Sequence, residues 1–328
     1  MDAVNVVVMA PALGTDQSYI SAVDPRVNVI DANDASGTRL DAALADANVI
    51  LLGFPVPTVV AAKAPHLAWV HHTQAGVSNL HGCDLWTSDV TLSTSRGVVA
   101  PGGIADYALA GAAFFARGLH EGTRQKQAGL FRRGSYQMIR LQDATMGVVG
   151  FGGIGRELAR QAKALGMRVL ATRRSLTAPV DNTDGIDRLL PADRLHELAA
   201  ESDFLAVCSQ LTAETTGMID AGVFAALKPG AVLINVARGE EIDEDALIKA
   251  LASGRLRGAV LDVYDGELAG RPPRRELLEL PEVLLTPHIS GRGDSATAEQ
   301  TRQLFADNLA RFLAGQELIN TVDRDRGY

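Results

Sequence analysis

Hydrophobic positions along the chain fall into two rhythms. Short aliphatic runs rich in Val, Ile and Leu alternate with Ala-rich segments whose apolar residues recur at helical spacing. This alternation is the signature of parallel βαβ units rather than of a sandwich or a helix bundle. In the first hundred residues it predicts strands at 4–9, 27–30, 49–52, 67–71 and 90–92. One long helix is expected over 105–120, and a polar, Arg-rich stretch, GTRQKQAGLFRRGSYQ, then interrupts the order of elements. The change places a domain boundary near Pro101. Beyond it the alternation restarts, with strands expected at 145–149, 168–172, 204–207, 231–236, 258–263 and 283–286 and helices at 154–165 and 244–252. That is the pattern of a doubly wound sheet. A last helix, expected at 295–314, has no strand after it and is free to fold back onto the first domain.

Composition narrows the class without naming a chemistry. A chain of 328 residues exceeds one ordinary domain, and 47% hydrophobic with 21% charged residues excludes both disorder and a disulfide-stapled miniature fold. Lys and Arg number 31 against 39 Asp and Glu, a net charge of −8, which argues against nucleic acid or an anionic membrane as a partner. An anionic ligand must therefore be held by local chemistry. Cys83 and Cys208 are too few for a disulfide framework and suit a reducing cytoplasm. The start, MDAVNVVVMAP, lacks the features of a secretory signal. The apolar stretch 97–116 carries Asp106 and several glycines, so it reads as a packed helix rather than a membrane span.

Candidate chemistry begins at the end of the strand over 145–149. Gly150-Phe151-Gly152-Gly153-Ile154-Gly155 satisfies G-x-G-x-x-G between a strand and a helix. The first glycine makes the tight turn, the second lets backbone approach a pyrophosphate, and the third packs helix on strand. The acid that would grip a ribose 2′-hydroxyl should close the next strand, yet that strand ends Ala171-Thr172-Arg173-Arg174-Ser175. Two guanidiniums stand where a 2′-phosphate would lie, which predicts NADP(H) in preference to NAD(H). The competing reading has one Arg stacked on adenine and the other solvated, with NAD(H) the cofactor.

Three later segments each place polar residues just beyond a strand end, the edge where open α/β sheets bind ligands. They are LINVARGEEIDEDAL with Arg238, GAVLDVYDGE with Asp262 and Glu267, and LLTPHIS with His288. With the glycine loop they resemble the D-isomer-specific 2-hydroxyacid dehydrogenases, which include glyoxylate/hydroxypyruvate reductases and phosphoglycerate dehydrogenases. The resemblance is strongest over 105–289. It implies an α/β fold in which a Rossmann domain, residues 101–289, is inserted into a smaller flavodoxin-like substrate domain made of 1–100 and 290–328. It also implies catalysis in a cleft that closes on the substrate, and a cytoplasmic homodimer.

Carried over by motif, the resemblance makes Arg238 the residue that binds a 2-keto acid carboxylate and polarises its carbonyl, and His288 the general acid. Glu267 would pair with His288 and keep it protonated and oriented. Asp262 falls at the position contacting the nicotinamide carboxamide, Ala237 among the cofactor-binding positions, and Cys208 at an apolar contact with adenine. The loop 72–80 is similar to one whose amides receive the substrate carboxylate, at Ala75 and Gly76. A structural turn is the alternative there. His71 and His72 either line the substrate pocket or cap it, whereas His66, His81, His120 and His196 read as structural or solvated. No Cys/His spacing suits zinc, and the chemistry needs no metal.

Some positions depart from the family pattern. Leu268 replaces a Pro, Gln210-Leu211-Thr212 a Pro-Leu-Thr, Asp106 a Glu, and Phe131 a frequent Trp. The expected activity is reduction of a small 2-keto acid to the D-2-hydroxy acid. A dinucleotide-sensing corepressor on the same scaffold, or a dehydrogenase of formate or phosphite, stays open. Substrate identity would rest on Gly53-Phe54-Pro55, His71-His72 and Ser290-Gly291-Arg292.

Overall fold

The computed structural model describes residues 3–97, 101–134, 136–291 and 295–324. Arg292 lies outside the described residues, as do the side chains of Ser78 and Leu268. The chain divides into two units, one comprising residues 1–100 with 293–328 and the other residues 101–292.

The first unit is built on five parallel strands: β1 (Val4–Met9), β2 (Val27–Asp31), β3 (Val49–Leu52), β4 (Trp69–His72) and β5 (Thr91–Thr94). Their order, β2-β1-β3-β4-β5, is that of flavodoxin-like sheets. Strand β1 shows why unbroken apolar runs form it. Val6 and Val8 pack with Ile20, Trp69 and Phe305 on one face, while Val7 and Met9 join Ile50, Leu52 and Val70 on the other. A strand covered on both faces needs no polar alternation. The last helix, Ser295–Leu313, covers the first face, with Phe305 stacked on Trp69 at 5.3 Å between ring centroids.

The second unit holds, among the described residues, an eight-stranded sheet. Its strands are β6 (Thr145–Val149), β7 (Arg168–Arg173), β8 (Val180–Thr183), β9 (Ile186–Pro191), β10 (Phe204–Val207), β11 (Ala231–Asn235), β12 (Leu256–Leu261) and β13 (Val283–Leu285). Their order is β13-β12-β11-β10-β6-β7-β9-β8, with every pairing parallel except β8 with β9. The direction of winding reverses between β6 and β10, which opens a crevice at the carboxyl ends of these strands. Alternate strand residues sort into two cores. Met146, Val148, Ala206 and Ile234 face one way, and Leu170, Leu205, Val207 and Leu233 the other.

The structure corrects the long helix expected over 105–120. Helix Pro101–Ala116 stops early, and a second, Leu119–Gln127, starts after Gly118, whose φ of +68° cannot continue a right-handed helix. The Arg-rich stretch is thus partly helical. The hydrophobic pattern also misses the hairpin of β8 and β9, whose turn is Asp184-Gly185 with φ +52° and +77°, suited to a two-residue hairpin turn. Strand β12 ends at Leu261, two residues short of the expected 263, because Asp262 turns its side chain toward the segment after β13.

Candidate active site

The glycine loop lies where β6 meets the helix Gly153–Ala164. Gly150 has φ +92°, and a Cβ there would lie 2.7 Å from the Ser209 backbone; one on Gly155 would meet the Gly150 carbonyl at 2.2 Å. A Cβ on Gly152 would meet nothing within 4 Å, so backbone is open to a ligand at this point. The helix N-cap is Gly152, without a capping side chain, and the first amides of the helix have no side-chain acceptor there. Gly153, Ile154 and Gly155 therefore form a cradle that fits a pyrophosphate.

At the end of β7, Arg173 and Arg174 are exposed. Arg173 Nη1 is 4.0 Å from Asp184 Oδ2, and Arg156, which stacks over Phe151 at 4.5 Å, comes within 3.4 Å of the same carboxylate. The hairpin thus brings an acid to the guanidiniums, a feature the strand-end motif alone does not carry. Cys208 directly follows β10, buried; burial, helped by the charge of Glu241, pushes its thiol up to about 12.

Arg238 follows β11. Asn235, fully buried, fixes the turn: its Oδ1 accepts from Ala237 N–H at 3.0 Å and its Nδ2 donates to the Arg238 carbonyl at 2.9 Å. The guanidinium donates through Nη1 to the Ala237 carbonyl at 2.7 Å. Burial lowers the Arg238 pKa from the ordinary arginine value, and the charges of Glu241, Glu267 and Glu240 oppose that shift. A desolvated guanidinium offers a planar donor fork of the kind that carboxylates match.

His288 has φ +51°, a conformation rare for residues with a side chain. Its segment is clamped by Asp262, which is almost fully buried. Asp262 Oδ1 accepts from Thr286 Oγ1 at 2.6 Å and from Ile289 N–H at 2.8 Å, and Oδ2 accepts from Ser290 N–H at 2.8 Å. Thr286 Oγ1 lies 2.5 Å from the Tyr107 hydroxyl. His288 Nδ1 is 2.9 Å from Glu267 Oε1, which fixes the ring and makes Nδ1 the donor to the carboxylate. Nε2 then projects from a ring about two-fifths exposed. Arg238, Asp262, Glu267 and His288 thus gather at the carboxyl ends of β11, β12 and β13, on the same edge of the sheet as the glycine loop after β6.

Ala75 and Gly76 lie in the first unit, half-buried in a loop that His72 anchors. His72 Nδ1 is 3.0 Å from the Leu52 carbonyl, to which it donates, and Nε2 is 3.0 Å from Asn79 Nδ2. His71 lies between the hydroxyls of Ser93 and Ser95 at 2.8 and 3.0 Å. Burial, then the neighbouring His72, lowers its pKa to about 3. Both rings are fully buried and bonded at both nitrogens.

Three contributors escape motif reading. Asn235 acts locally, on the turn two and three residues beyond it, Thr286 acts through hydrogen bonds to segments far away in sequence, and Glu241 sits buried in a turn where its neighbours Ala237 and Ile242 are apolar. Their signal in the sequence was limited to polar residues at strand ends. Among the described residues, no cluster of three His, Cys, Asp or Glu could hold a metal, and no helix is long and apolar enough to cross a membrane.

The profile described as "D-isomer specific 2-hydroxyacid dehydrogenase, NAD binding domain" matches residues 109–290. The chain is 33% identical to a glyoxylate reductase of Pyrococcus furiosus over 294 residues, covering 85% of this chain and 83% of that protein. It is 32% identical to a D-3-phosphoglycerate dehydrogenase of Mycobacterium leprae, covering 98% of this chain but only 59% of that protein's length. Among solved structures, a D-isomer specific 2-hydroxyacid dehydrogenase from Xanthobacter autotrophicus Py2, crystallised with NADPH and MES, aligns with a TM-score of 0.81 at 28% identity over the whole of both chains. The chain belongs to the D-isomer specific 2-hydroxyacid dehydrogenase family.

Proposed function

We propose that the protein is an NADPH-preferring reductase that converts a small 2-keto acid to the D-2-hydroxy acid. The observation that carries this reading is the His288–Glu267 contact at 2.9 Å beside the desolvated Arg238. The reduced cofactor, when bound, supplies the hydride for the carbonyl carbon. His288 donates the Nε2 proton to the carbonyl oxygen, with Glu267 orienting the ring. Arg238 holds the substrate carboxylate in its planar fork, and Ala75 and Gly76 of the first unit are further candidates for carboxylate binding through their amides. Asp262 keeps the His288 segment in place, and its Oδ2, which accepts a single bond, retains capacity for the carboxamide of the cofactor.

The amides of Gly153, Ile154 and Gly155 would hold the pyrophosphate, with Cys208 and Ala237 in apolar contact. Arg173 and Arg174 would hold the 2′-phosphate; their exposure at the end of β7 supports the preference for NADPH. Leu119, Leu130, Phe131 and Met138 are exposed apolar side chains, which supports a homodimer; two buried thiols without a disulfide suit a cytoplasmic location.

The test follows absorbance at 340 nm with a panel of 2-keto acids and either reduced cofactor. The expected result is oxidation of NADPH with a kcat/KM above that for NADH, and an Arg173→Ser, Arg174→Ser variant in which the preference shrinks about tenfold or more. A wild-type preference for NADH would remove the cofactor assignment.

A further inference from the structure

Glu241 closes the short turn Gly239–Glu241 directly behind Arg238 and is completely buried. Its two oxygens differ. Oε2 accepts a hydrogen bond from Ser209 Oγ, whereas Oε1 is shielded from solvent with no hydrogen-bond partner among the described residues. A buried acid with an unbonded oxygen costs stability, so packing alone does not account for it.

The groups facing it come from three directions. Arg238 and Glu240 flank it on its own turn, and Cys208 and Ser209 approach from the end of β10. The segment Gly217–Ile219, whose Ile219 N–H bonds to the Glu241 carbonyl, brings no charge. Burial raises Glu241 to about 7, against the opposing effects of the Ser209 hydrogen bond and the Arg238 charge. Arg238 is likewise shifted by burial first, and Glu241 is the foremost of the carboxylates that counter it.

We propose that Glu241 is a positioning residue for substrate capture, sharing the charge of Arg238 in the free protein and taking one proton from solvent when an anionic acid occupies Arg238. The inference rests on the reading of Arg238 as the carboxylate-binding residue. A substrate carboxylate brought to Arg238 sets two anions against one guanidinium in a desolvated site. The substrate keeps its charge because 2-keto acids are strong carboxylic acids; the buried glutamate, bonded at only one oxygen, gives up its own. Binding is then tightest where Glu241 is already protonated and weakens as pH rises.

The test measures KM for a 2-keto acid from pH 6 to 9 at saturating NADPH. In the wild type, KM is level at low pH and gains on the order of tenfold between pH 7 and pH 8.2 from this group. In Glu241→Gln that tenfold component is missing, while kcat keeps its wild-type pH dependence. Ser209→Ala removes a donor that favours the charged carboxylate, so the KM inflection moves to higher pH, and this variant decides the matter should Glu241→Gln not fold. A wild-type KM inflection retained in both variants overturns the proposal. A uniform rise of KM at every pH in both variants does so too, because that is the mark of a structural role. If the wild type reduces no 2-keto acid at any pH, the reading of Arg238 itself falls, a result distinct from either of these.

Discussion

Replacing Asp262 with Ala removes the acceptor of three hydrogen bonds, from Thr286 Oγ1, Ile289 N–H and Ser290 N–H. Thr286 keeps a partner in Tyr107, so the loss falls on the two amides. A hydrogen bond to a charged group contributes about 1.5–3 kcal/mol, so each amide should open, and exchange with deuterium, about 10- to 150-fold faster. Native-state hydrogen exchange read by mass spectrometry on a peptide spanning residues 286–290 measures this directly. Asp262→Asn provides the graded control. Its carbonyl oxygen can still accept at the Oδ1 position, but its amide faces the Ser290 N–H, so Ile289 stays protected and Ser290 does not. Because the same clamp holds His288 at φ +51°, kcat falls in the order Asp262, Asn, Ala. Unchanged protection of both amides in Asp262→Ala would refute the clamp.

Burial raises the thiols of Cys83 and Cys208 to about 11 and about 12, so both are protonated at pH 8. A disulfide exchange reagent should label neither in the native protein and both after denaturation; rapid native labelling of Cys208 would contradict its enclosure. His71 has a folded pKa of about 3, below its ordinary value of 6.5, so the unfolded chain binds a proton that the folded one refuses. The contribution to stability is present above about pH 6.5 and falls by about 2–3 kcal/mol at pH 4.5. Urea midpoints of the wild type and His71→Gln at pH 7 and pH 4.5 check this, with the smaller drop expected in the variant.

Much of the scaffold was legible because buried parallel strands are apolar on both faces. The runs VNVVVM and TMGVV mark β1 and β6 without a break, and the glycine loop announces the turn after β6. The hairpin of β8 and β9 was not, since VDNT is polar and exposed and only Asp184-Gly185 hints at its turn. The helix over 105–120 fails for a different reason: its apolar rhythm runs on through a glycine whose backbone conformation no hydrophobic pattern records. At the site, Arg238, Glu267 and His288 stand at strand ends where residue type and position coincide. Thr286 and Glu241 are defined by side-chain partners 24 and 32 residues away in sequence, so their roles emerge only when the sheet brings neighbouring strand ends together, whereas Asn235 shapes its own turn through bonds no hydrophobic pattern records.

The most direct test of the proposed chemistry is the single-turnover rate of NADPH oxidation by a 2-keto acid, in the wild type and in His288→Asn, with cofactor prebound and its binding verified by nicotinamide fluorescence. Loss of a positioned general acid should slow oxidation by about 10²- to 10⁴-fold while NADPH binding persists, because the glycine loop and Arg173 are untouched. Oxidation by His288→Asn at the wild-type rate would contradict the assignment of His288 as the proton donor.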